Sequence, residues 1–267
     1  MIETLKLMAV LAHPDDESMG MGTTFARYAA EGVETYLVCA TRGERGWTGP
    51  DDEDPGMQEM ARIRTAELLA SAQVLDICQV FFLDYIDGDV DQVRPGDAIA
   101  RIVHLVRLVR PQVVCTFNLD GAYGHPDHIA VSQFTAAALV CAADPSYPSP
   151  QSPHRVSKFY YMAGGADLFA AFTRTFGDLS MEVDGVKRTG FAWPDWAMTA
   201  RIDGDRYWET AWKAVQCHAS QLAEMGDLSK IPEPELKAML GCDHYLRAFS
   251  LVNGGRRHED DLFAGLR

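Results

Sequence analysis

The sequence has few basic residues for its length. Of its 267 residues, 24 are Lys or Arg and 38 are Asp or Glu, so the formal net charge is −14 at pH 7. A surface of this sign repels phosphate backbones and anionic lipid headgroups, which argues against nucleic acid and membrane surfaces as partners. The net charge does not identify a substrate, because the charge inside one cleft can differ from the average.

Long hydrophobic runs and paired cysteines are also missing. The apolar run at residues 5–12 is too short to cross a bilayer. It also lacks the basic region and the cleavage site of a signal peptide, so we expect a cytoplasmic protein without membrane insertion. The six cysteines include no C-x-x-C pair. We expect buried, reduced thiols here, not a disulfide framework or a sulfur-rich metal site.

The order of apolar segments predicts an α/β fold. Strand-like and helix-like stretches alternate up to about residue 165, which is typical of a Rossmann-like, mostly parallel sheet with helices on both faces. No G-x-G-x-x-G motif is present, so this pattern does not indicate dinucleotide binding. We expect one domain over residues 1–267, with its core at about 5–165 and a C-terminal elaboration at about 166–267. The predicted strands are 5–12, 33–40, 77–83, 112–117, 155–163 and 198–202, and the predicted helices are 18–30, 57–73, 96–109, 127–142, 206–219 and 232–240.

The first candidate site is the stretch H-P-D-D at residues 13–16, directly after the first predicted strand. Ligands of open α/β sheets bind beyond the carboxyl ends of the strands, so this turn is expected at a binding edge. Such a turn can aim His13 and Asp16 at one point while Asp15 faces another side of it. His and carboxylate are typical zinc ligands, and a second carboxylate beside a bound water is the usual general base. The alternative is that the carboxylates merely favour the helix N-terminus that follows.

The second candidate site is the stretch G-H-P-D-H at residues 124–128, after the fourth predicted strand. It belongs to the same edge of the sheet, where His128 can complete a His/Asp/His ligand set with His13 and Asp16. A lone histidine is more often an ordinary hydrogen-bonded or surface side chain. That alternative is weaker here, because three of the eight histidines fall in two His-Pro-Asp turns.

Three further side chains of this turn are candidates for catalysis. His125 can stabilise an oxyanion or give a proton to a leaving amine, and Asp127 can hold its imidazole in one orientation. Tyr123 offers a hydroxyl donor at the same rim. We expect the five remaining histidines to be ordinary side chains, with His218 left open.

Together, five motifs resemble those of the LmbE-like (PIG-L) de-N-acetylases, over roughly residues 5–165. They are A-H-P-D-D-E at 12–17, T-R-G-E-x-G at 41–46, R-x-x-E at 64–67, D-G at 87–88 and G-H-P-D-H at 124–128. A further stretch around His218, K-A-V-Q-C-H-A-S-Q, is similar to another segment of the family.

The resemblance implies a Rossmann-like fold and one divalent metal, with zinc expected, bound by His13, Asp16 and His128. It also implies that Asp15 is the general base and that His125 assists with Asp127 as its partner. Arg64, Asp87 and Tyr123 match positions that lie near the substrate or the oxyanion in relatives. For Arg64 an exposed ion pair with Glu67 on the same helix is an equally good interpretation.

We therefore predict a hydrolase that removes an N-acetyl or N-acyl group from an amino-sugar-containing small molecule, such as an N-acetylated sugar or glycoconjugate. Metal-activated water attacks the amide, with Asp15 as base. Two alternatives are a metal-binding domain without activity and a metal-dependent phosphoesterase. A binding domain needs no spare base, and we find no carboxylates that would bridge two ions. The sequence is compatible with a homo-oligomer and does not specify one.

Overall fold

Strands and helices alternate along the chain in a computed structural model that describes residues 4–183, 185–222, 228–253 and 257–267. The strands of these ranges are β1 (Lys6–Leu11), β2 (Glu34–Thr41), β3 (Gln79–Tyr85), β4 (Val113–Thr116), β5 (Lys158–Ala163), β6 (Ser180–Val183), β7 (Val186–Thr189), β8 (Ala200–Asp203) and β9 (Cys242–Ser250). The helices are α1 (Asp16–Ala30), α2 (Met57–Val74), α3 (Pro95–Val109), α4 (Gly121–Gly124), α5 (Pro126–Ala143), α6 (Ala166–Phe176), α7 (Trp208–Val215), α8 (Ala219–Leu222) and α9 (Glu233–Leu240).

A seven-stranded sheet in the order β3-β2-β1-β4-β5-β9-β8 forms the centre of the protein. The five strands from β3 to β5 pair in parallel, whereas β9 is antiparallel to both β5 and β8. Strands β6 and β7 form a separate antiparallel pair. The predicted α/β class with a mostly parallel sheet is confirmed.

The central strands are buried because their side chains are apolar on both faces. Residues 7–11 of β1 are fully buried, and every residue of β4 is buried. Continuous apolar runs of this kind are typical of parallel strands covered on both faces. Helix α1 packs against α7, and α3 packs against α5. A side chain at Gly22 of α1 would place its Cβ 3.0 Å from Ala211 Cβ, so this glycine permits the close approach of α7.

The region after residue 165 differs most from its prediction. In the described part of this region, only β8 and the helices α7 and α9 correspond to predicted segments, and the predicted helix 206–219 is shorter than expected. Helix α6, the β6–β7 pair and the nine-residue strand β9 were not predicted. The predicted helix 18–30 begins two residues earlier than expected, at Asp16, with Asp15 at the N-cap position.

The strand order reverses between β1 and β4, where a binding crevice is expected. From β1 the chain proceeds to β2 and β3 on one side, whereas β4 and β5 lie on the other side. The carboxyl ends of β1 and β4 therefore meet where the strand order reverses, the usual ligand site of such sheets. Among the described residues, no helix is both long and apolar enough to span a membrane.

Candidate metal centre and active site

The two His-Pro-Asp turns meet at this crevice. His13 lies two residues beyond the end of β1, and His128 lies in the first turn of α5, which begins at Pro126 after the short helix α4. Strands β1 and β4 are direct parallel neighbours, with Val10 opposite Thr116. Parallel pairing therefore brings together two turns that are more than a hundred residues apart in sequence.

The three predicted metal ligands converge on one point. His13 Nδ1 and His128 Nε2 are 3.1 Å apart. Asp16 Oδ2 lies 3.8 Å from His13 Nδ1, and Asp16 Oδ1 lies 3.5 Å from His128 Nε2. Two nitrogens bound to one tetrahedral zinc at about 2.0–2.1 Å are about 3.3 Å apart, so these donors have suitable types and spacing.

Hydrogen bonds on the outer nitrogens determine where the ring lone pairs point. His128 Nδ1 lies 3.2 Å from the carbonyl oxygen of Gly121, which can only accept, so this nitrogen carries the proton. His13 Nε2 lies 3.0 Å from Asp127 Oδ2 and 3.1 Å from Asp87 Oδ1, which fixes the proton of a neutral His13 there. The unprotonated nitrogens then face each other and Asp16, an arrangement that a cation stabilises.

The charges around His13 also favour a cation. Burial lowers the pKa of His13, but the charge of Asp87 and hydrogen bonds with Asp127 and Asp87 raise it more, so the net pKa lies well above the usual value. Burial, and next the charge of Asp15, raises the pKa of Asp16. The site therefore stabilises positive charge and holds more carboxylates than its own basic groups compensate. A divalent metal ion fits these residues.

His125 lies close enough to this centre to act on a bound substrate. Its ring centroid is 4.7 Å from that of His128 and 4.8 Å from that of His13. His13, His125 and His128 form one group of possible metal donors, with donor atoms within 4.8 Å of one another. His125 Nδ1 accepts the backbone N–H of Asp127 at 3.1 Å, so a neutral His125 carries its proton on Nε2.

The Asp127 carboxylate holds His13, whereas the sequence predicts His125 as its partner. This side chain is fully buried. Its Oδ2 bonds His13 Nε2 and also accepts the N–H of Gly88 at 2.7 Å, and its Oδ1 accepts the N–H of Val90 at 3.0 Å. The expected pairing of Asp127 with His125 is therefore corrected to a pairing with His13. The reason is that the turn directs the carboxylate toward the loop after β3. Its contact with His125 runs through the Asp127 backbone.

Arg64 is buried against Asp15, so the interpretation of Arg64 as part of an exposed ion pair with Glu67 is wrong. Arg64 is 3% exposed, and its Nη2 donates to Asp15 Oδ2 at 2.9 Å and to the carbonyl oxygen of Pro14 at 2.5 Å. Its Nη1 lies 3.7 Å from Asp87 Oδ2. Glu67 instead accepts hydrogen bonds from the backbone N–H and the hydroxyl of Ser220.

The T-R-G-E-R-G stretch after β2 leaves room for this guanidinium. A Cβ built at Gly43 or at Gly46 would collide with Arg64 Nη1. Gly43 also has a φ of 69°, which favours glycine. The two glycines of the motif are therefore explained by the space that the Arg64 guanidinium needs, which the spacing of the motif alone does not reveal.

Asp15 stands beside the ligand set without belonging to it. Its backbone has φ 128° and ψ −30°, a region that residues with a side chain rarely adopt. Burial raises the pKa of its carboxyl more than the charge of Arg64 lowers it. A carboxylate with a raised pKa is better suited to accept a proton near neutral pH.

Tyr123 lies at the rim of the same site. Its ring centroid is 5.4 Å from that of His128 and 5.9 Å from that of His125. Burial, and next the charges of Asp16 and Asp15, raises the pKa of Tyr123 well above its usual value, so the hydroxyl stays a donor.

Sequence reasoning missed two side chains that support this rim from the region after residue 165. Arg188 of β7 donates to the carbonyl oxygen of Gly124 at 2.9 Å, and Trp193 Nε1 donates to Asp120 Oδ2 at 2.9 Å. Both acceptors flank the turn that carries Tyr123. No local signal marks these contacts, because the partners are 64 and 73 positions apart in sequence.

Comparison with known proteins agrees with the family resemblance of the sequence motifs. Residues 8–139 match the family model described as GlcNAc-PI de-N-acetylase (PIG-L). The chain is 35% identical to a 1D-myo-inositol 2-acetamido-2-deoxy-alpha-D-glucopyranoside deacetylase of Streptomyces griseus, over 98% of this chain and 89% of the relative. It is 31% identical to a mycothiol S-conjugate amidase of Streptomyces coelicolor, over 100% of this chain and 99% of the relative. The solved N,N'-diacetylchitobiose deacetylase of Pyrococcus horikoshii has the same fold, with a TM-score of 0.68 and 20% identity over 92% of this chain and 84% of that one.

Proposed function

The chain belongs to the GlcNAc-PI de-N-acetylase (PIG-L) family, and we propose that it hydrolyses the N-acetyl group of an amino-sugar-containing small molecule with the help of one bound zinc ion. The observation that carries this proposal is the position of the Asp15 carboxylate. A half-buried carboxylate, held by Arg64, lies beside three converging metal donors and is not needed as a fourth. A protein that only binds a metal has no use for such a base.

The proposed chemistry is assigned to the side chains as follows. His13, Asp16 and His128 would hold the metal, which when bound lowers the pKa of water toward about 7 and polarises the amide carbonyl. Asp15 accepts the proton of the attacking water. Arg64 occupies its Oδ2, and we assign its Oδ1 to that proton.

His125 and Tyr123 act on the other side of the scissile amide. The Nε2 proton of His125 is directed away from its Nδ1 contact with the Asp127 backbone. We assign it to the oxyanion that forms at the acetyl carbonyl, together with the neutral Tyr123 hydroxyl. As the C–N bond breaks, the proton taken by Asp15 passes to the departing nitrogen, which leaves a free amine and acetate.

The substrate that we propose is a 2-acetamido sugar linked to a second polar group. The relative from Streptomyces griseus is named as a deacetylase of such a compound, with an inositol as the second group. The relative from Streptomyces coelicolor is named as an amidase, which also cleaves an amide. The common element of the two names is the cleavage of an amide.

The test is a screen of N-acetylated sugars and phosphoesters with purified protein. We expect release of acetate and free amine, loss of that release after treatment with a chelator, and its return with zinc. Release of phosphate from phosphoesters in the same screen would favour a phosphoesterase. Stoichiometric metal without turnover of any amide would favour a binding domain.

A further inference from the structure

A buried polar cluster lies behind the Asp15 turn and takes no part in the proposed chemistry. It consists of Glu17 in the first turn of α1, Ser71 near the end of α2 and His218 in the turn between α7 and α8. Glu17, Ser71 and His218 are all fully buried. Glu17 Oε1 lies 2.7 Å from His218 Nε2 and accepts the hydroxyl of Ser71 at 2.5 Å.

Burial of Glu17 is not explained by the helix that it begins. An acidic residue in the first turn of a helix interacts favourably with the helix dipole even when it is exposed to water. Burying a carboxylate and an imidazole removes both from water, a cost that only a good mutual contact offsets. Glu17 and His218 make such a contact at 2.7 Å. The arrangement therefore needs a reason other than helix initiation.

The second oxygen of Glu17 supplies that reason, because it holds the backbone of Asp15. Glu17 Oε2 accepts the Asp15 N–H at 3.0 Å. The Asp15 backbone has a φ of 128°, a conformation that persists only when its surroundings enforce it. On the other side of the residue, the Asp15 carbonyl oxygen accepts the N–H groups of Ser18 and Met19.

Two contacts therefore fix the direction of the Asp15 carboxylate. Arg64 donates to Asp15 Oδ2, and Glu17 accepts the backbone N–H of Asp15. Glu17 is itself fixed by His218, a residue 201 positions away in sequence. The region around α7 and α8 is in this way connected to the base.

We infer that Glu17 and His218 are positioning residues for the amide hydrolysis. Together they hold the strained Asp15 backbone so that its carboxylate points at the reacting water. The inference rests on the proposed role of Asp15 as base. Neither side chain is among the metal donors, so the pair acts on the rate of the chemical step and not on metal content.

The experiment compares two substitutions of His218. His218→Phe keeps a ring but removes the donor to Glu17, whereas His218→Gln keeps a donor. We expect His218→Phe to lower kcat roughly ten- to hundred-fold, since small misplacement of a catalytic group costs about that much. KM should stay within about twofold, since substrate contacts are unchanged, and each chain should retain its metal. His218→Gln should recover most of the kcat.

Asp243→Asn is the matched control. Asp243 is a half-buried carboxylate that bonds Thr24 farther along α1, and among the described residues no hydrogen bond or ion pair joins it to Asp15. Its variant should keep the kcat of the unchanged protein. If His218→Phe lowers kcat no more than Asp243→Asn does, or lowers it only through loss of metal, the pair is merely part of the core and the inference is wrong.

A measurement without substrate separates this inference from the proposed function. In the metal-free protein, the Asp15 amide should exchange with solvent at least about tenfold faster in His218→Phe than in the unchanged chain, because its acceptor is released. Unchanged exchange of this amide overturns the inference even if the enzyme is active. Faster exchange in a protein that hydrolyses no amide supports the positioning contact and removes the proposed function instead.

Discussion

Two aspartates at matching places in the two turns have different neighbours. Asp15 follows His13-Pro14 and bonds Arg64, whereas Asp127 follows His125-Pro126 and bonds His13. Both were recognised from sequence as site residues. The partner of Asp127 was not predictable, because Gly88, Val90 and His13 reach it from distant parts of the chain.

The first prediction concerns Asp15. Asp15→Asn keeps the size of the side chain and an oxygen for Arg64 but cannot accept the proton of water. We expect kcat to fall about 10²- to 10⁴-fold, the usual contribution of a general base. Metal content, measured by atomic emission, should stay near one ion per chain. Activity close to that of the unchanged protein would remove Asp15 from this role.

The second prediction concerns Asp127. Asp127→Asn weakens the contact that orients His13, so the affinity for zinc should fall about 10- to 100-fold. Competition with a chromophoric chelator measures this dissociation constant. Asp89→Asn is the control. Asp89 lies between Gly88 and Val90 in the loop after β3, and among the described residues its carboxylate pairs only with exposed Arg45. Equal affinities in the two variants would contradict the contact with His13.

At the scale of elements, the strand β1, which is buried on both faces, was predictable, whereas the half-buried strand β9 was not. After Lys6, every residue of β1 is apolar and buried, and the strand was recognised within one residue at each end. Strand β9, C-D-H-Y-L-R-A-F-S, mixes charged and apolar residues, and only Tyr245 is fully buried within it. Its position is determined by pairing with β5 and β8 and by the contact of Asp243 with Thr24, none of which is visible locally.

The loop after β2 gives the third prediction. Gly46→Ala places a Cβ against the Arg64 guanidinium and should displace it from Asp15. We expect kcat to fall at least about tenfold with little change in metal content, since misplaced groups lose that much or more. Gly96→Ala in α3 is the control, because outside its own turn of helix no atom of the described residues lies within 4 Å of the added Cβ. It should keep full activity, and a similar loss of kcat in both variants would rule out displacement of Arg64 as the cause.

At the scale of the whole molecule, the last residues are tied to the central sheet by a buried ion pair. Lys158 of β5 is fully buried, and its Nζ donates to Glu259 Oε1 at 2.7 Å. Glu259 Oε2 accepts the hydroxyl of Tyr160 at 2.6 Å. Burial raises the pKa of Glu259, but hydrogen bonds from Lys158 and Tyr160 lower it more, so its net pKa lies below the usual value.

The fourth prediction follows from this pair. Glu259→Gln leaves the Lys158 charge buried without its partner, which should lower the free energy of unfolding at pH 7 by about 3–5 kcal/mol. Glu34→Gln, which breaks the more exposed Lys6 pair, should cost less than about 1 kcal/mol.

The pH dependence tests the charge of Glu259. Because the pKa of Glu259 is depressed in the folded state, the contribution of Glu259 to the free energy of unfolding is complete above the unfolded pKa of about 4.3 and is lost as the pH falls through the folded pKa. Urea unfolding of the metal-free proteins should therefore show a difference between Glu259→Gln and the unchanged chain that is largest near neutral pH and shrinks in acid. A difference that is independent of pH would mean that the lost stability comes from packing and not from the charge of Glu259.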